Sequence, residues 1–288
     1  MAYIIGVDGG GTGCRVAVAD SEGNVLGRAD GGAANIATNL EVARKNILAT
    51  TTKAFVNAGL APEEQSNSAA VLGLAGSNLG TYRAQLLSTL PFAKSDIISD
   101  AETTLVGAIG EADGCIGAIG TGSVYGRRIN GVFTQIGGWG FLLGDDGSGA
   151  RLGRDILHIA VLAHDKIAKH SPLTLELLEE YQGSPLTLIS EAKSFSPGDF
   201  GRLAPRVVNA AKAGDKNAEA VMKQHTKIVR KSIDAVGFSP DRAFCMLGGL
   251  GVVFLKRLPE RYQVAALTPQ GNALDGAVAL AQTLAAKS

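Results

Sequence analysis

The stretch that decides the fold is Ile4-Ile5-Gly6-Val7-Asp8-Gly9-Gly10-Gly11-Thr12-Gly13-Cys14-Arg15-Val16-Ala17-Val18-Ala19-Asp20. An apolar run leads into an acid and a glycine cluster, and a second run with β-type alternation follows. The pattern predicts a β-hairpin whose tip binds phosphate, because Gly10 and Gly11 let backbone N–H groups converge on phosphate oxygens. Thr12 adds a hydroxyl donor, and Asp8 has the charge to hold the hydrated Mg²⁺ that accompanies nucleotide phosphates.

Two other phosphate-binding motifs do not fit this stretch. A P-loop needs a Gly-Lys-Ser/Thr ending that opens a helix, and a dinucleotide-binding turn also leads into a helix. Here the residues after Thr12 alternate as a strand and close in a turn at Asp20–Asn24. Taken alone, the stretch is also typical of a simple glycine-rich hairpin turn, so other parts of the chain must decide.

The bulk composition sets the broad class. The chain has 288 residues, 45% of them hydrophobic, which is enough for two domains of ordinary size. Its 27 basic and 27 acidic residues balance, so we expect no nucleic-acid partner. No basic segment precedes an apolar one at the N-terminus, and no apolar run approaches the roughly 20 residues of a membrane span. We therefore expect a cytoplasmic protein with no membrane partner.

The cysteines and histidines suggest no metal site. The three cysteines have no CxxC spacing, and the four histidines form no ligand pattern. We expect buried, reduced thiols and ordinary surface or core histidines. These residues are Cys14, Cys115, Cys245, His158, His164, His170 and His225.

Strand and helix patterns alternate along the first part of the chain, which predicts an α/β sheet. A helix should begin after Asn39 and stop near Gly59. Beyond Gly147 the pattern becomes mostly helical. The helices predicted there are Leu173–Tyr181, Pro185–Lys193, Phe200–Ala213 and Asn217–Val236, and a last helix is predicted over Ala273–Leu284. We divide the chain into an N-terminal α/β domain, residues 1–110, and a C-terminal α/β domain with helical additions, residues 111–288.

Two further apolar strands end in small-residue turns. Cys115–Ile119 runs into Gly120–Ser123 and a second hairpin, which repeats the design of the opening stretch. Phe244–Leu247 runs into Gly248–Gly251. Three such turns in one chain are harder to attribute to chance than one, and binding of a single nucleotide explains them all.

These three turns resemble those of the sugar kinase, Hsp70 and actin superfamily. Within it, Gly137–Gly149 is similar to N-acetylglucosamine kinases and bacterial glucosamine kinases of the BadF/BadG/BcrA/BcrD-type ATPase family. The match extends to Ala34-Asn35, Ser99-Asp100-Ala101 and Asn272–Ala277, so it covers nearly the full length. The resemblance implies two ribonuclease-H-like domains with an interdomain cleft, ATP and Mg²⁺ as cofactors, and phosphorylation of a sugar 6-hydroxyl.

The resemblance also implies residue roles. Asp100 matches the catalytic acidic residue, which accepts the proton of the sugar hydroxyl. Its position alone, however, favours a helix N-cap. The implied phosphate-binding residues are Gly10, Gly11, Thr12, Gly120, Thr121 and Gly122, and those for adenosine are Gly248 and Gly249. The implied sugar-binding residues are Asn35, Gly138, Trp139, Gly140 and Asp145, and Asp8 is the implied metal ligand.

Three of the implied sugar-binding residues could also have a purely structural role. Asn35 fits a turn residue, and Asp145 fits a cap on the helix after Gly147, a role for which Asp146 is the better candidate. Trp139 lies between glycines, where an exposed loop edge or a ligand wall is expected more than a packed core position.

We expect N-acetylglucosamine as the substrate. A pocket for glucosamine should place a carboxylate near the ammonium group, whereas the segment Gly138–Phe141 is uncharged and suits a neutral acetamido group. Glucosamine is the alternative, because Asp145 or Asp146 could supply the charge. Two further alternatives are an ATPase activator of a dehydratase, which needs cysteine ligands for an iron–sulfur cluster, and a non-catalytic sugar sensor. Helices beyond Gly147 could provide a homodimer face.

Overall fold

The computed structural model describes residues 3–287 of the chain. These residues form two compact units. The first contains residues up to 113, residues 128–133 and residues from 267 onward, and the second contains residues 114–127 and 134–266.

Nine strands form two sheets in the described part of the chain. They are β1 (Ile4–Gly9), β2 (Cys14–Ala19), β3 (Val25–Gly31), β4 (Ala69–Leu74), β5 (Lys94–Ile98), β6 (Gly114–Ile119), β7 (Ser123–Ile129), β8 (Val132–Gly137) and β9 (Ala243–Leu247). The strand order is β3-β2-β1-β4-β5 in the first sheet and β8-β7-β6-β9 in the second.

Twelve α-helices accompany the sheets within residues 3–287. They are α1 (Leu40–Asn57), α2 (Tyr82–Leu87), α3 (Asp100–Ile109), α4 (Gly149–His164), α5 (Pro172–Glu179), α6 (Pro185–Ala192), α7 (Pro197–Gly201), α8 (Ala204–Lys212), α9 (Lys216–Val236), α10 (Gly248–Leu255), α11 (Glu260–Ala265) and α12 (Ala273–Ala286). Of these helices, none is long and apolar enough to cross a membrane.

The first sheet is buried on both faces. β1 pairs antiparallel with β2, as the opening hairpin predicts, and parallel with β4. Because side chains alternate along a strand, Ile4 points into one apolar cluster with α12, and Ile5 points into another with α1. Asn39 caps α1 by accepting a hydrogen bond from the N–H of Val42, which confirms the predicted helix start.

The last helix belongs to the first unit, whereas our division at residue 110 placed it in the second domain. α12 packs against α3 with almost no space between the two backbones. A Cβ added to Gly107 would lie 1.9 Å from the carbonyl oxygen of Asn272, and one added to Gly276 would lie 2.0 Å from that of Thr103. Chain order therefore did not indicate which sheet this helix covers.

In the second unit, α9 and α10 pack against β6, and α10 also packs against β9. β6 pairs parallel with β9, and β7 and β8 are joined by Asn130-Gly131. Both turn residues have positive φ, which is the geometry of a type I′ hairpin. Helices α4, α5, α8 and α9 contribute to the apolar core of this unit.

The predicted α/β class with helical additions to the second half is confirmed. The single helix predicted over Phe200–Ala213 is wrong, because the structure has two helices, α7 and α8, in that region. Pro205 stands in the first turn of α8, where its missing N–H is tolerated, so a new helix begins there.

Candidate active site

The first glycine turn lies at the end of β1 in the first unit. The N–H of Gly10 donates to the carbonyl oxygen of Gly13 at 2.9 Å and closes the tip of the hairpin. Gly9 has no room for a side chain, since an added Cβ would lie 2.6 Å from Leu74 Cδ2. At Gly11, by contrast, an added Cβ would meet nothing within 4 Å. The backbone at Gly11 and Thr12 is thus open to a ligand.

Asp8 faces Arg15 across this hairpin. The two residues are direct partners in the strand register, and Arg15 Nε donates to Asp8 Oδ2 at 3.1 Å. Arg15 Nη2 also donates to the same oxygen. Both donors use Oδ2, so these contacts leave Oδ1 of Asp8 for a metal or a metal-bound water. This donor set fits Mg²⁺, which uses one or two carboxylates and retains several waters or phosphate oxygens.

Asp100 is the first residue of α3, but it does not cap the helix. Ser99 is the N-cap, and its hydroxyl accepts a hydrogen bond from the N–H of Glu102 at 3.2 Å. The cap interpretation that Asp100's position favours is therefore wrong. A serine hydroxyl satisfies the orphan N–H group, and the neighbouring carboxylate is not needed for it.

The surroundings of Asp100 favour its neutral form. Burial raises the pKa of its carboxyl above the usual value, and the nearby charge of Asp8 raises this pKa further, against the hydrogen bond from the N–H of Ala101. A half-buried carboxylate with a raised pKa beside another carboxylate is a recognised candidate for a general base.

Asn35 lies in the first unit as a turn residue. Its Oδ1 accepts hydrogen bonds from the N–H groups of Ala37 at 3.0 Å and Thr38 at 3.1 Å. This Asx turn fixes the carbonyl end of the side chain and gives the half-buried amide a defined direction.

The second glycine turn is bonded to the start of α4 in the second unit. The N–H of Gly149 donates to the carbonyl oxygen of Gly120 at 2.8 Å, and that of Ala150 donates to Thr121 at 3.1 Å. Gly122 faces Asp145, since an added Cβ would lie 3.1 Å from Asp145 Oδ2. The turn and the loop before α4 therefore form one structural feature.

We call residues 137–147 the Trp139 loop. Trp139 is 67% exposed, as expected of a loop edge rather than a core position, and Leu142 and Leu143 are almost fully exposed. Asp145 has a φ of 57°, a left-handed conformation that only a few residue types adopt readily. Burial raises the pKa of the Asp145 carboxyl, against the N–H of Ser123 and the charge of Arg151.

Neither Asp145 nor Asp146 caps α4, which corrects that interpretation. Ser148 is the N-cap, and its hydroxyl accepts from the N–H of Arg151 at 3.2 Å. The backbone of Asp146 has another role, because its carbonyl oxygen accepts a hydrogen bond from the Ser123 hydroxyl at 2.9 Å. As at Asp100, a serine takes the capping role and the acidic neighbours are left for other contacts.

The third turn opens α10 rather than a loop. Gly248 has a φ of 77°, and an added Cβ would lie 2.4 Å from the carbonyl oxygen of Ile119, so only glycine fits. Beside it is a pocket of about 350 Å³. The pocket is lined by residues of the second and third glycine turns and of helices α4, α7, α8 and α10. These residues are Gly120, Thr121, Gly149, Gly201, Ala204, Pro205, Val208, Asn209, Gly249, Leu250 and Val253.

The structure thus brings together several of the predicted nucleotide-binding residues. Gly120, Thr121 and Gly249 line one mostly apolar pocket. The sequence did not predict that α8 lines this pocket, because its residues Pro205 and Val208 belong to no binding motif. The break between α7 and α8 was the one available signal, and it was hidden by the apolar periodicity of Phe200–Ala213.

The three cysteines are buried and reduced, as predicted. Burial raises the pKa of Cys115 to about 12 and also raises those of Cys14 and Cys245. Ligands of an iron–sulfur cluster are thiolates, which these surroundings disfavour.

Comparison with known proteins agrees with the resemblance found in the sequence. The model of the BadF/BadG/BcrA/BcrD ATPase family matches residues 5–263. The glucosamine kinase GspK of Vibrio cholerae is 29% identical over 98% of this chain and 96% of its own length. The N-acetylmuramic acid/N-acetylglucosamine kinase of Clostridium acetobutylicum is also 29% identical, over 82% of this chain and 79% of its own length.

A solved structure extends the similarity to the whole fold. It is that of a Chromobacterium violaceum protein provisionally designated an N-acetylglucosamine kinase, which shares 34% sequence identity with this chain. The alignment covers 98% of this chain and 99% of the other, with a TM-score of 0.90. The family match spans most of the chain and this likeness spans nearly all of it, so the chain belongs to the BadF/BadG/BcrA/BcrD ATPase family.

Proposed function

We propose that this ATP-dependent sugar kinase transfers the γ-phosphate of ATP to the 6-hydroxyl of N-acetylglucosamine. The observation that carries the proposal is the half-buried carboxylate of Asp100 beside Asp8, at a helix start where Ser99 provides the cap. Desolvating a carboxylate destabilises a fold, so a stable protein retains one where its chemistry requires it.

Asp100 acts as the general base in this proposal. It accepts the proton of the 6-hydroxyl while the sugar oxygen forms a bond to the γ-phosphorus and the bond from that phosphorus to the β,γ-bridging oxygen breaks. The products are ADP and the sugar 6-phosphate. A raised pKa strengthens Asp100 as a proton acceptor, because a more basic carboxylate takes up the hydroxyl proton more favourably.

The glycine turns and the apolar pocket bind the nucleotide. In the first unit, the N–H groups of Gly11 and Thr12 are the phosphate donors. In the second unit, the donors are the N–H groups of Thr121 and Gly122, because the N–H of Gly120 already donates to the carbonyl oxygen of Gly122. The adenine ring occupies the pocket between Gly249, Leu250 and Val208, whose aliphatic surfaces suit a flat aromatic base.

Asp8 would hold the magnesium ion of Mg·ATP, because Arg15 uses only Oδ2 of its carboxylate. When bound, Mg²⁺ neutralises charge on the β- and γ-phosphate oxygens. Arg15 keeps the Asp8 carboxylate in a fixed orientation at the hairpin tip.

The choice between the two aminosugars depends on the Trp139 loop. The names of the relatives are divided between glucosamine and N-acetylglucosamine, and the whole-length similarity to GspK favours glucosamine as the second candidate. The Asp145 carboxylate supports the acetylated sugar, because it lies against Gly122 and accepts the N–H of Ser123. A carboxylate engaged in this way is a poor partner for the ammonium group of glucosamine, whereas the indole of Trp139 suits an acetamido methyl.

In a competition assay, N-acetylglucosamine and glucosamine at equal concentration with ATP and Mg²⁺ should give mainly N-acetylglucosamine 6-phosphate. Mass spectrometry separates the two products, and ADP release measures total turnover. Mainly glucosamine 6-phosphate would reverse the substrate assignment. ADP release that no hexose or aminosugar stimulates would contradict the kinase proposal itself.

Asp100→Asn should lower kcat by roughly 10²–10⁴-fold with little change in the KM for the sugar. Asparagine keeps the size of the side chain but cannot accept the proton. The matched control is Glu102→Gln, one helical position beyond Ala101 in the same first turn, which should retain most of the activity. Equal kcat values for Asp100→Asn and the parent enzyme would remove Asp100 from the mechanism.

Asp8→Asn should raise the Mg²⁺ concentration needed for half-maximal activity by roughly 10–100-fold, because an amide oxygen holds the hydrated ion less well. The measurement is a Mg²⁺ titration of ADP release at fixed ATP. Asp20→Asn is the control, since Asp20 lies at the opposite end of the same hairpin and only orders its turn. If both variants had the Mg²⁺ dependence of the parent, Asp8 would not be a metal site.

A further inference from the structure

His225 is a buried histidine that the proposed phosphoryl transfer does not use. It lies in the middle of α9 and is 1% exposed. Its helical neighbours at the i−4 and i+4 positions, Val221 and Val229, belong to the apolar core of the second unit. An imidazole in such a place needs partners for both ring nitrogens.

Both partners of His225 are present, and they determine its tautomer. The N–H of Gly147 donates to Nδ1 at 3.2 Å, and Nε2 lies 3.0 Å from Asp155 Oδ2. A backbone N–H can only donate, so Nδ1 is the acceptor and the ring proton is on Nε2, where it faces the carboxylate. Burial alone raises the pKa of Asp155, but its interactions with His225 and Arg154 outweigh this effect and lower the pKa.

Gly147 is the last residue of the Trp139 loop and is fitted tightly to α9. It has a φ of 85°, and an added Cβ would lie 2.6 Å from Val229 Cγ2. His225 and Val229 therefore hold the end of the loop together, one by a hydrogen bond and the other by contact. A third residue, Arg151, donates from Nε to the carbonyl oxygen of Gly144 at 2.9 Å.

These contacts all act on the segment that carries Asp145. Asp145 lies between Gly144, which Arg151 contacts, and Gly147, which His225 contacts. Its backbone has the left-handed conformation described above. If the Gly147 N–H lost its acceptor, a buried donor would be unsatisfied, and the segment could recover that bond only by moving toward water. Such a movement would displace Asp145 and the exposed Trp139 side of the loop.

We propose that His225 is a positioning residue for aminosugar binding: acting through Gly147, it fixes the conformation of the Trp139 loop. The proposal rests on the proposed function, in which this loop forms the sugar wall. Asp155 keeps the acceptor nitrogen of His225 directed at Gly147. The long helix α9, which carries no binding motif, is thereby linked to substrate recognition.

Two conservative variants separate the two hydrogen bonds of His225. The amide oxygen of His225→Asn takes the place of Nδ1 and can still accept from Gly147. The amide nitrogen of His225→Gln takes the place of Nε2 and can still donate to Asp155, but this side chain has no acceptor at the Nδ1 position. Val236→Ala is the control for a general loss of packing, because Val236 is a buried residue near the far end of the same helix.

His225→Gln should raise the KM for N-acetylglucosamine about tenfold, while the KM for ATP should change less than twofold. His225→Asn and Val236→Ala should both stay within about twofold of the parent for either substrate. A readout independent of catalysis is amide hydrogen exchange of the peptide containing Gly147, which should be faster in His225→Gln than in the other two variants.

The proposal is overturned if His225→Asn and His225→Gln change the sugar KM equally, or if Val236→Ala does so as much as His225→Gln. Unchanged exchange at Gly147 in His225→Gln also overturns it. The failure of the proposed function gives a different result: the parent protein then phosphorylates no aminosugar, while the exchange measurement still reports whether His225 holds the loop.

Discussion

The packing of α3 directly on α12 is the constraint on which the first unit depends. Because Gly107 and Gly276 have no Cβ, the two helix backbones lie closer together than any other residue at these positions would allow. α12 in turn covers the face of the first sheet that contains Ile4, Ala69 and Val71. The start of α3 is therefore fixed relative to β1 by backbone contact, and with it the Asp100 carboxylate relative to Asp8.

Serine capping is the second recurring device. Ser99 caps α3 and Ser148 caps α4, and in both cases an acidic residue stands nearby in the chain. A cap side chain must bend back to the N–H of the second or third helical residue, which draws it away from any ligand. With serine in that role, Asp100 and Asp145 keep half-buried carboxylates whose pKa values are raised. The fold thus retains carboxylates in surroundings that favour proton transfer and hydrogen bonding over simple ion pairing.

The glycine turns could be predicted from the sequence because glycine and strand periodicity are local signals. The hairpin at Gly9–Gly13, the turn at Gly120 and the start at Gly248 all lie where the pattern indicated. The caps could not be predicted with the same success, since Ser99 and Asp100 are both good N-cap residues and tertiary packing decides between them. The position of α12 was also beyond local signals, because it is set by its contacts with α3 and β1. His225 was indistinguishable from an ordinary core histidine, and its partner Gly147 is 78 residues away along the chain.

We infer that the fold holds Asp100 at a cost in stability, because desolvation disfavours its ionised carboxylate. The direct test is the free energy of unfolding of the parent and Asp100→Asn, measured with urea between pH 7 and pH 4. Because burial raises the folded-state pKa above the unfolded value, the ionised group destabilises the fold above the folded-state pKa, and this penalty disappears as the pH falls toward the unfolded-state value. We expect Asp100→Asn to be the more stable protein at pH 7, with the difference shrinking as the pH is lowered. A variant that is less stable than the parent at pH 7, or a difference that does not change with pH, would contradict this account.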